Sequence, residues 1–385
     1  MNHAASEKLQ DHRAMRIFPL ISILALLMQA RVALPQSKVE SIDEYVQAQM
    51  VERRIPGMAV AVIRHNKIEK IGTYGKASVE FDLPVKPATS FSVASISKNF
   101  TAVAIMTLVE AGKLRLDDPI GSHLRDLPSA WRAVTVRQLL GHTSGLPDVN
   151  VDSYTTNTIA ANPDEALRLL RDRPMEFAPG ANWRYNQTNF MLLGMLIETL
   201  SGQSYTQFCE DRLFKPFKLR DAAFGDARTI VKGRATVYTT FRYGTGQPVA
   251  MDHAEVLNAE MPSMIYPAGG LNISIADFAR WLTALLNGEI IGKDSLDTLW
   301  TPVKLNDGSI FQSPSSSTLW SYGLGWVLGL QEPHPFVGGA GGIRTAFFIY
   351  PKDDLAVIVL TNSQGSRPES LVEGIAQQYL EPLHP

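Results

Sequence analysis

The sequence has few of the residues that build disulfide frameworks or metal centres. Its 385 residues include one cysteine, Cys209, which excludes an internal disulfide and makes a thiolate metal site implausible. Because Cys209 lies in a helical-looking run, we interpret it as a small core residue. The eight histidines are scattered, with neither an H-E-x-x-H motif nor another spacing typical of metal ligands. The sequence therefore implies no metal and no cofactor.

An excess of charge of one sign is also lacking. The formal net charge is −2 and the sequence pI is about 6.5, so the chain has no general attraction to nucleic acid or to an anionic membrane. The phosphate-binding pattern G-x-x-x-x-G-K-[ST] is absent. The segment GHTSG at 141–145 is similar to the nucleophile elbow G-x-S-x-G. Because it has threonine in place of the central serine, we do not interpret it as a nucleophile elbow. We therefore expect a small-molecule partner and no nucleic acid.

The hydrophobic run near the amino terminus is short. Residues 17–28 form an apolar stretch that follows Arg13 and Arg16. The stretch falls short of the roughly 20 residues that a bilayer-spanning helix needs. A basic flank followed by a short apolar core is typical of a signal peptide. We predict that residues 1–36 are a signal peptide or export segment and that the protein is periplasmic or secreted. An uncleaved membrane anchor is the open alternative.

The most informative stretch begins at Phe91 and ends at Gly112. Its apolar residues go most of the way round a helix, which predicts a buried helix that stops at Gly112. Ser95 and Lys98 lie three residues apart near the front of this helix, on one face. If Ser95 were an N-cap, a capping box would place Glu or Gln at position 98. Lysine has the wrong charge for that end of a helix.

Burial and the helix dipole both favour the neutral amine of Lys98, so we expect its pKa to be lowered. A neutral lysine within reach of a serine hydroxyl is a base beside a nucleophile. The S-x-x-K pattern is short, however, and it occurs often by chance. Taken alone, it is only a lead toward covalent catalysis.

Strand-like segments at both ends of the chain define the fold class. Residues 58–64 and 67–75 read as two strands joined at His65-Asn66, and residues 345–350 and 355–362 read as a second pair. Helices are expected at 37–54, opened by Ser37 or Ser41, and at about 369–380. We predict an α+β fold with a mainly antiparallel sheet built from both chain ends and flanked by helices.

The middle of the chain is predicted to be mostly helical. Four helix-like segments are PDEALRLLRDRP, TNFMLLGMLIETLSG, IADFARWLTALLNG and the shorter TVRQLLG. We assign residues 37–385 to one domain, with a helical inserted subdomain at roughly 112–300. A helical insert packed against a sheet leaves a cleft, which is a favoured place for a small-molecule site.

Several long motifs lie around Ser95 and along the rest of the chain. They are TSFSVASISKNFTAVAIMTLVEAGKLRLDDPI at 89–120, LLGHTSGLPD at 139–148, FAPGANWRYNQTNFMLLGMLIETLSGQSY at 177–205, PAGGLNISIADFARW at 267–281, YGLGW at 322–326 and VGGAGGIRTAFFIYPKDDLAVIVLTN at 337–362. In this order they resemble the serine β-lactamase-like superfamily, in its branch of class C β-lactamases, D-alanyl peptidases and related esterases. The resemblance covers about residues 40–380 and implies the β-lactamase/transpeptidase-like fold.

The resemblance implies roles for individual residues. Ser95 matches the family's acyl-forming nucleophile and Lys98 its proton-transfer partner. Tyr185 matches the tyrosine of the Y-x-N motif, which shares the base role and protonates the leaving group. The backbone N–H groups of Ser95 and Gly342 correspond to the oxyanion hole. His142, in HTSGLP, is interpreted as structural.

Two positions depart from the family's pattern. Gln187 replaces the asparagine of Y-x-N, and Gly339-Ala340-Gly341 stands where the family has K-T-G or H-x-G. The cationic or imidazole group that helps to bind a substrate carboxylate is therefore missing at Gly339. Arg344 either restores the positive charge or is a surface arginine on a strand. We include Gln187, Gly339, Gly341 and Arg344 among the candidate substrate-binding residues.

These departures direct the functional prediction. We expect a serine hydrolase that is acylated on Ser95 and acts on carboxylic esters or small amides, because the third motif argues against an efficient β-lactamase. A weak class C-type β-lactamase or D-amino-acid peptidase is one alternative. An acyltransferase and a catalytically reduced binding or scaffold protein are the others. Intact Ser95, Lys98 and Tyr185 count against the last.

Overall fold

The computed structural model of the chain describes residues 41–149, 160–242, 249–258, 260–313 and 320–380. The predicted export segment at 1–36 lies outside the described residues. Among the helices within those ranges, none combines the length and hydropathy that a bilayer-spanning segment requires.

The strands are β1 (Gly57–Arg64), β2 (Lys67–Ser78), β3 (Leu83–Pro84), β4 (Ser90–Ser92), β5 (Ala223–Phe224), β6 (Tyr238–Arg242), β7 (Val249–Val256), β8 (Leu271–Ser274), β9 (Trp320–Tyr322), β10 (Val327–Gly329), β11 (Phe336–Gly341), β12 (Thr345–Tyr350), β13 (Leu355–Thr361) and β14 (Ser363–Gln364). The α-helices are α1 (Ile42–Glu52), α2 (Ser97–Glu110), α3 (Val136–Leu140), α4 (Pro163–Leu170), α5 (Gln187–Ser201), α6 (Tyr205–Cys209), α7 (Tyr266–Gly269), α8 (Ile275–Leu286), α9 (Lys293–Leu299) and α10 (Pro368–Ala376).

An eight-stranded antiparallel sheet forms the centre of the described chain, in the order β3-β2-β1-β13-β12-β11-β10-β9. Strand β1 pairs with β13, so that Met58 lies opposite Thr361 and Arg64 opposite Leu355. The two ends of the chain therefore meet in the middle of the sheet, which confirms the prediction from the sequence. His65 and Asn66 both have positive φ and form the tight turn between β1 and β2.

Both faces of the sheet are covered. Alternate residues of a strand point to opposite faces. Along β1, one alternate set packs into the large core around α2, and the other packs into a second core beside α1 and α10. The first set is Ala59, Ala61 and Ile63, and the second is Met58, Val60 and Val62. This double burial explains why the central strands read as continuous apolar runs.

Helices α1 and α5 begin close to the residues at which the sequence predicts their starts. Ser41 caps α1 in a capping box with Glu44, whose side chain returns to the Ser41 backbone. Asn186 caps α5, which runs to a left-handed Gly202. Helix α2 is buried along most of its length, as its all-round apolar pattern predicts.

Two small sheets lie beside the expected helices, and several of their strands come from the middle of the chain. Strands β4, β8 and β5 form one small sheet, and β14, β6 and β7 form another. Sequence analysis did not predict these strands. Most of them are two to five residues long, and the longer β7 is largely exposed, so it carries no apolar alternation.

Candidate active site

Ser95 lies in a 3-10 turn, Ala94–Ile96, that leads directly into α2. The N-cap residue of α2 is Ile96, so the interpretation of Ser95 as an N-cap is wrong. Ala94 has a left-handed φ of +46°, a strained conformation of the kind that clusters at functional sites. The Ser97 hydroxyl holds the turn in place, because it donates to Ala94 O at 2.7 Å and accepts from Leu271 N at 2.9 Å.

Lys98 is almost completely buried, with 1% of its surface exposed. Its Nζ lies 3.4 Å from Ser95 Oγ, and it donates to Gln187 Oε1 at 2.8 Å and to Ala268 O at 2.7 Å. Burial lowers the pKa of Lys98 to about 7, in agreement with the expectation from the sequence. A substantial fraction of the amine is therefore neutral near neutral pH and able to take a proton from a hydroxyl.

Asp148 is a charged neighbour that sequence analysis did not single out. Its carboxylate raises the pKa of Lys98 against the larger effect of burial. It also accepts a hydrogen bond from Gln187 N at 3.3 Å, at the start of α5. The available signal was its place in the motif LLGHTSGLPD, which the sequence analysis had already singled out.

Tyr185 and His142 pack beside the lysine. Lys98 Nζ lies 4.7 Å from the centre of the Tyr185 ring, and the His142 ring lies 4.5 Å from the same ring. His142 Nδ1 accepts hydrogen bonds from Asn186 N and Asn189 Nδ2 at 3.2 and 3.1 Å. Burial lowers the pKa of His142 well below its usual value, so the imidazole is neutral. These contacts fit the structural role that we assigned to His142.

The end of strand β11 lies directly against the nucleophile turn. A Cβ on Gly341 would come within 2.0 Å of Val93 O and 2.9 Å of Ser95 N, so only glycine allows this approach. The next residue, Gly342, lies beside Ala94, since its own Cβ would be 3.2 Å from Ala94 Cβ. The backbone segments that carry the Ser95 and Gly342 N–H groups are therefore adjacent.

Asn99 occupies the space into which a side chain at position 339 would point. A Cβ on Gly339 would come within 2.3 Å of Asn99 Oδ1. The Asn99 amide is buried and fixed, because its Nδ2 donates to Gly325 O at 3.0 Å and to Gly338 O at 3.3 Å. Sequence analysis missed Asn99, although it is the next residue after Lys98.

Arg344 is not the surface arginine that one interpretation allowed. Only 8% of its surface is exposed. Its Nε donates to Ser92 O and its Nη2 to Ser92 Oγ, both at 3.0 Å. The guanidinium therefore lies beside the strand that leads into the nucleophile turn, and burial lowers its pKa to about 10.

The structure thus brings Ser95, Lys98 and Gln187 into contact and places the Tyr185 ring beside them. Gly341, at the end of strand β11, and Gly342 lie against the nucleophile turn. Within the described ranges, no group of acidic, histidine and cysteine side chains has the arrangement of a metal site. The chemistry that this arrangement can support is nucleophilic attack by a serine whose proton passes to a neutral amine.

Comparisons with known proteins point to a family. Residues 42–379 match the family model described as Beta-lactamase. Penicillin-binding protein 4* of Bacillus subtilis (strain 168) is 31% identical over 315 residues, which cover 76% of this chain and 65% of that protein. The chain spans about two thirds of the length of the curated relatives that it matches.

Two solved structures have a similar fold. The octameric penicillin-binding protein homologue from Pyrococcus abyssi aligns with a TM-score of 0.71 and 26% identity, covering 87% of this chain and 76% of its own. The D-stereospecific amidohydrolase from Streptomyces sp. aligns with a TM-score of 0.67 and 24% identity, covering 84% and 94%. The second likeness concerns the fold alone. The α+β fold predicted from the sequence is confirmed.

Proposed function

Because the chain belongs to the Beta-lactamase family, we propose that it is a serine hydrolase that forms an acyl-enzyme on Ser95 and hydrolyses carboxylic esters or small amides. The observation that carries this proposal is the contact of Lys98 Nζ with Ser95 Oγ at 3.4 Å. The lowered pKa of Lys98, about 7, supports the same assignment, because a base must be unprotonated to act.

In the acylation step, Ser95 Oγ attacks the substrate carbonyl carbon while neutral Lys98 takes the hydroxyl proton. The carbonyl oxygen becomes an oxyanion, and the backbone N–H groups of Ser95 and Gly342 are the proposed donors to it. As the carbonyl re-forms, the bond to the leaving group breaks. Tyr185, beside Lys98, is proposed to pass the proton to the departing alkoxide or amine.

In the deacylation step, water attacks the ester that links the acyl group to Ser95. The Lys98 and Tyr185 pair takes a proton from the water and returns one to Ser95 Oγ. The products are a free carboxylic acid and the restored serine. Gln187 and the Ala268 carbonyl keep the amine directed at this position throughout, since both accept hydrogen bonds from Lys98 Nζ.

The proposed preference for esters over penicillins rests on strand β11. Position 339 carries no side chain, and Asn99 fills the adjacent space. The cation or imidazole that the resemblance associates with this position is therefore lacking. A substrate that depends on that group for recognition would bind weakly, whereas a simple ester needs only the nucleophile, the base and the oxyanion donors.

A second candidate is a weak β-lactamase or D-amino-acid peptidase that uses the same residues. The observation in its favour is the 31% identity with a protein named as penicillin-binding. The two candidates share every chemical step and differ only in the groups that hold the substrate. Their separation therefore depends on substrate preference.

The test compares short p-nitrophenyl esters with a chromogenic cephalosporin, using the full chain and a Ser95→Ala variant. We expect ester turnover to exceed cephalosporin opening and Ser95→Ala to abolish both. Labelling by a fluorophosphonate probe, visible by mass spectrometry on the Ser95 peptide, gives a readout that is independent of turnover. Ester hydrolysis that persists in Ser95→Ala, or a probe that never labels Ser95, would reject the proposal.

A further inference from the structure

A cavity of about 500 Å³ lies at the end of the central sheet that is remote from the nucleophile turn. Strand β12 connects the two places. Its first residue, Thr345, donates through Oγ1 to Val93 O at 3.2 Å beside that turn, and its last residue, Tyr350, lines the cavity. The five residue steps between them span about 17 Å of an antiparallel strand. The cavity is therefore separate from the candidate active site.

The floor of this cavity is apolar. It is formed by buried side chains from three strands, from helices α8 and α9 and from the loop between those helices: Ile63, Leu285, Ile291, Leu296, Ile349 and Ala356. Strands β1, β13 and β12 each have a neighbouring strand on both sides, so their backbone polar groups are engaged in the sheet. Water on such a floor finds few hydrogen-bond partners, which favours an apolar occupant.

The walls of the cavity are held in place by contacts of their own. Glu110, at the end of α2, accepts hydrogen bonds from Gly292 N and Ser295 Oγ and so fixes the start of α9. On the opposite wall, His65 N donates to Asp354 O at 2.9 Å and joins the β1–β2 turn to the β12–β13 turn. The cavity is therefore preformed, and a preformed site loses little conformational freedom when a ligand binds.

The rim of the cavity is polar, but it offers no excess of positive charge. Lys293 pairs with Asp297 at 2.7 Å, so its charge is balanced. Asp354, 3.4 Å from His65 Nδ1, is acidic. Uncharged side-chain amides complete the rim, those of Asn66 and Asn287. Among the described residues of this rim, an anionic head group would therefore meet no unbalanced cation, whereas a hydroxyl group could bind to the amides.

We propose that this cavity binds an uncharged amphiphile, with its alkyl chain against the apolar floor and its hydroxyl group at the rim. The volume lies within the range of about 300–1,000 Å³ that is typical of small-molecule sites. Each methylene group of the chain that is buried there improves binding about fourfold. The inference does not depend on the proposed hydrolysis, because Ser95, Lys98 and Tyr185 are not among the residues that line the cavity.

The test uses N-phenyl-1-naphthylamine, an uncharged dye whose fluorescence increases in apolar surroundings, with the full chain. We expect saturable binding of the dye. 1-Decanol should displace it at a concentration about tenfold lower than decanoate, because burial of a charge that lacks a partner is costly. Equal displacement by the alcohol and the carboxylate would reject the uncharged class of ligand.

A variant connects the binding to the cavity. Leu286 is half-buried in the cavity wall, and Leu286→Trp fills part of the volume. We expect this change to weaken dye binding about tenfold, the effect of roughly two lost methylene contacts. Leu200→Trp makes the same change at a half-buried leucine of helix α5 that does not line the cavity, and it should bind the dye like the wild type. Equal dye affinity in the two variants would overturn the site.

A photoreactive decanol that carries an aliphatic diazirine locates the ligand in the unaltered protein, so this readout does not depend on the folding of a variant. We expect it to label peptides from 285–300 and 349–356, and excess 1-decanol should prevent the labelling. Labelling confined to peptides outside these two segments would reject the proposal. A complete lack of saturable dye binding would reject it as well.

Discussion

At the scale of single residues, the environment of Lys98 decides whether the site can act. The side chain is buried among neutral acceptors, and the carboxylate of Asp148 is the charged group that moderates the effect of that burial on its pKa. Burial favours the neutral amine and Asp148 favours the charged one, so the pKa of about 7 reflects a balance between them. Such a balance can be shifted by changing one charge.

Activity should therefore depend on pH through Lys98. We expect kcat/KM for a neutral ester to rise about tenfold per pH unit below pH 7 and to level off above it, because the neutral amine is the active form. Asp148→Asn removes the charge that raises the Lys98 pKa, so the acidic limb of the profile should move to lower pH. The exposed Asp172→Asn is the control and should leave the profile in place. A limb that moves to higher pH in Asp148→Asn would contradict this account.

Gly339 and Asn99 should behave as a coupled pair. Gly339→Lys places a Cβ within 2.3 Å of Asn99 Oδ1, so we expect it to cost about 1–3 kcal/mol of unfolding free energy, as overpacking does. It should also fail to produce cephalosporin turnover by itself. In the double variant Gly339→Lys, Asn99→Ala, the losses of unfolding free energy caused by the two substitutions should be less than additive. Cephalosporin turnover should also appear in this variant.

Urea unfolding of the wild type, both single variants and the double variant measures this coupling. Gly339→Ala is the matched control for the steric part, since it adds the Cβ without the charge. Strictly additive free energies would mean that the loop near Gly325 or strand β11 moves aside, and that Asn99 does not hold the space.

At the scale of elements, the hairpin between β11 and β12 joins the candidate oxyanion segment to Arg344. Gly342 and Ile343 both have positive φ, +58° and +55°, and Arg344 N donates to Gly341 O at 3.1 Å. These are the features of a tight type I′ turn. An isoleucine with positive φ is unfavourable because its branched Cβ crowds the backbone. Its side chain is nevertheless 53% exposed at the edge of the site.

Replacing this isoleucine should therefore increase stability. We expect Ile343→Gly to raise the free energy of unfolding by about 0.5–1 kcal/mol, because relief of the left-handed strain exceeds the entropy that glycine adds to the unfolded chain. Ile343→Val keeps the branched Cβ and should show no gain. The measurement is the urea midpoint of both variants. A loss in Ile343→Gly as large as that of an ordinary core truncation would contradict this interpretation of the turn.

At the scale of the whole molecule, the sequence predicts the strand pairs near the two ends of the chain better than the strands in the middle of the chain. The pairs β1–β2 and β12–β13 are recognisable because each is an apolar or alternating run bounded by a turn such as His65-Asn66. Strands β6 and β7 carry no comparable signal, since β6 is only five residues long, β7 is largely exposed, and their pairing depends on tertiary contacts. A local sequence pattern therefore predicts a strand only where burial requires apolar residues in that strand.

In the candidate site, too, some residues can be predicted from the sequence and others cannot. Ser95 and Lys98 are visible in the sequence because three residues on a helix place them on one face. Asn99 and Asp148 are not, because Asn99 acts by its proximity to Gly339 and Asp148 by its charge near Lys98, and each partner lies far away in the sequence. The burial of Arg344 is likewise a property of packing, and a residue that follows a hairpin turn reads equally well as exposed.

The pairing of β1 with β13 has a consequence for how the chain folds. The central ladder joins strands from opposite ends of the sequence, Met58 with Thr361, so its contacts are among the least local in the molecule. The loop-closure entropy for such a pair must be overcome before its hydrogen bonds form, which slows folding relative to proteins with local contacts. On the ribosome, one edge of the apolar strand β1 can pair with β2 as soon as β2 is made, but its other edge must wait until β13 has been synthesised. A nascent chain of this protein therefore presents an open edge of an apolar strand until β13 emerges, which is the situation in which chaperones protect a polypeptide from aggregation.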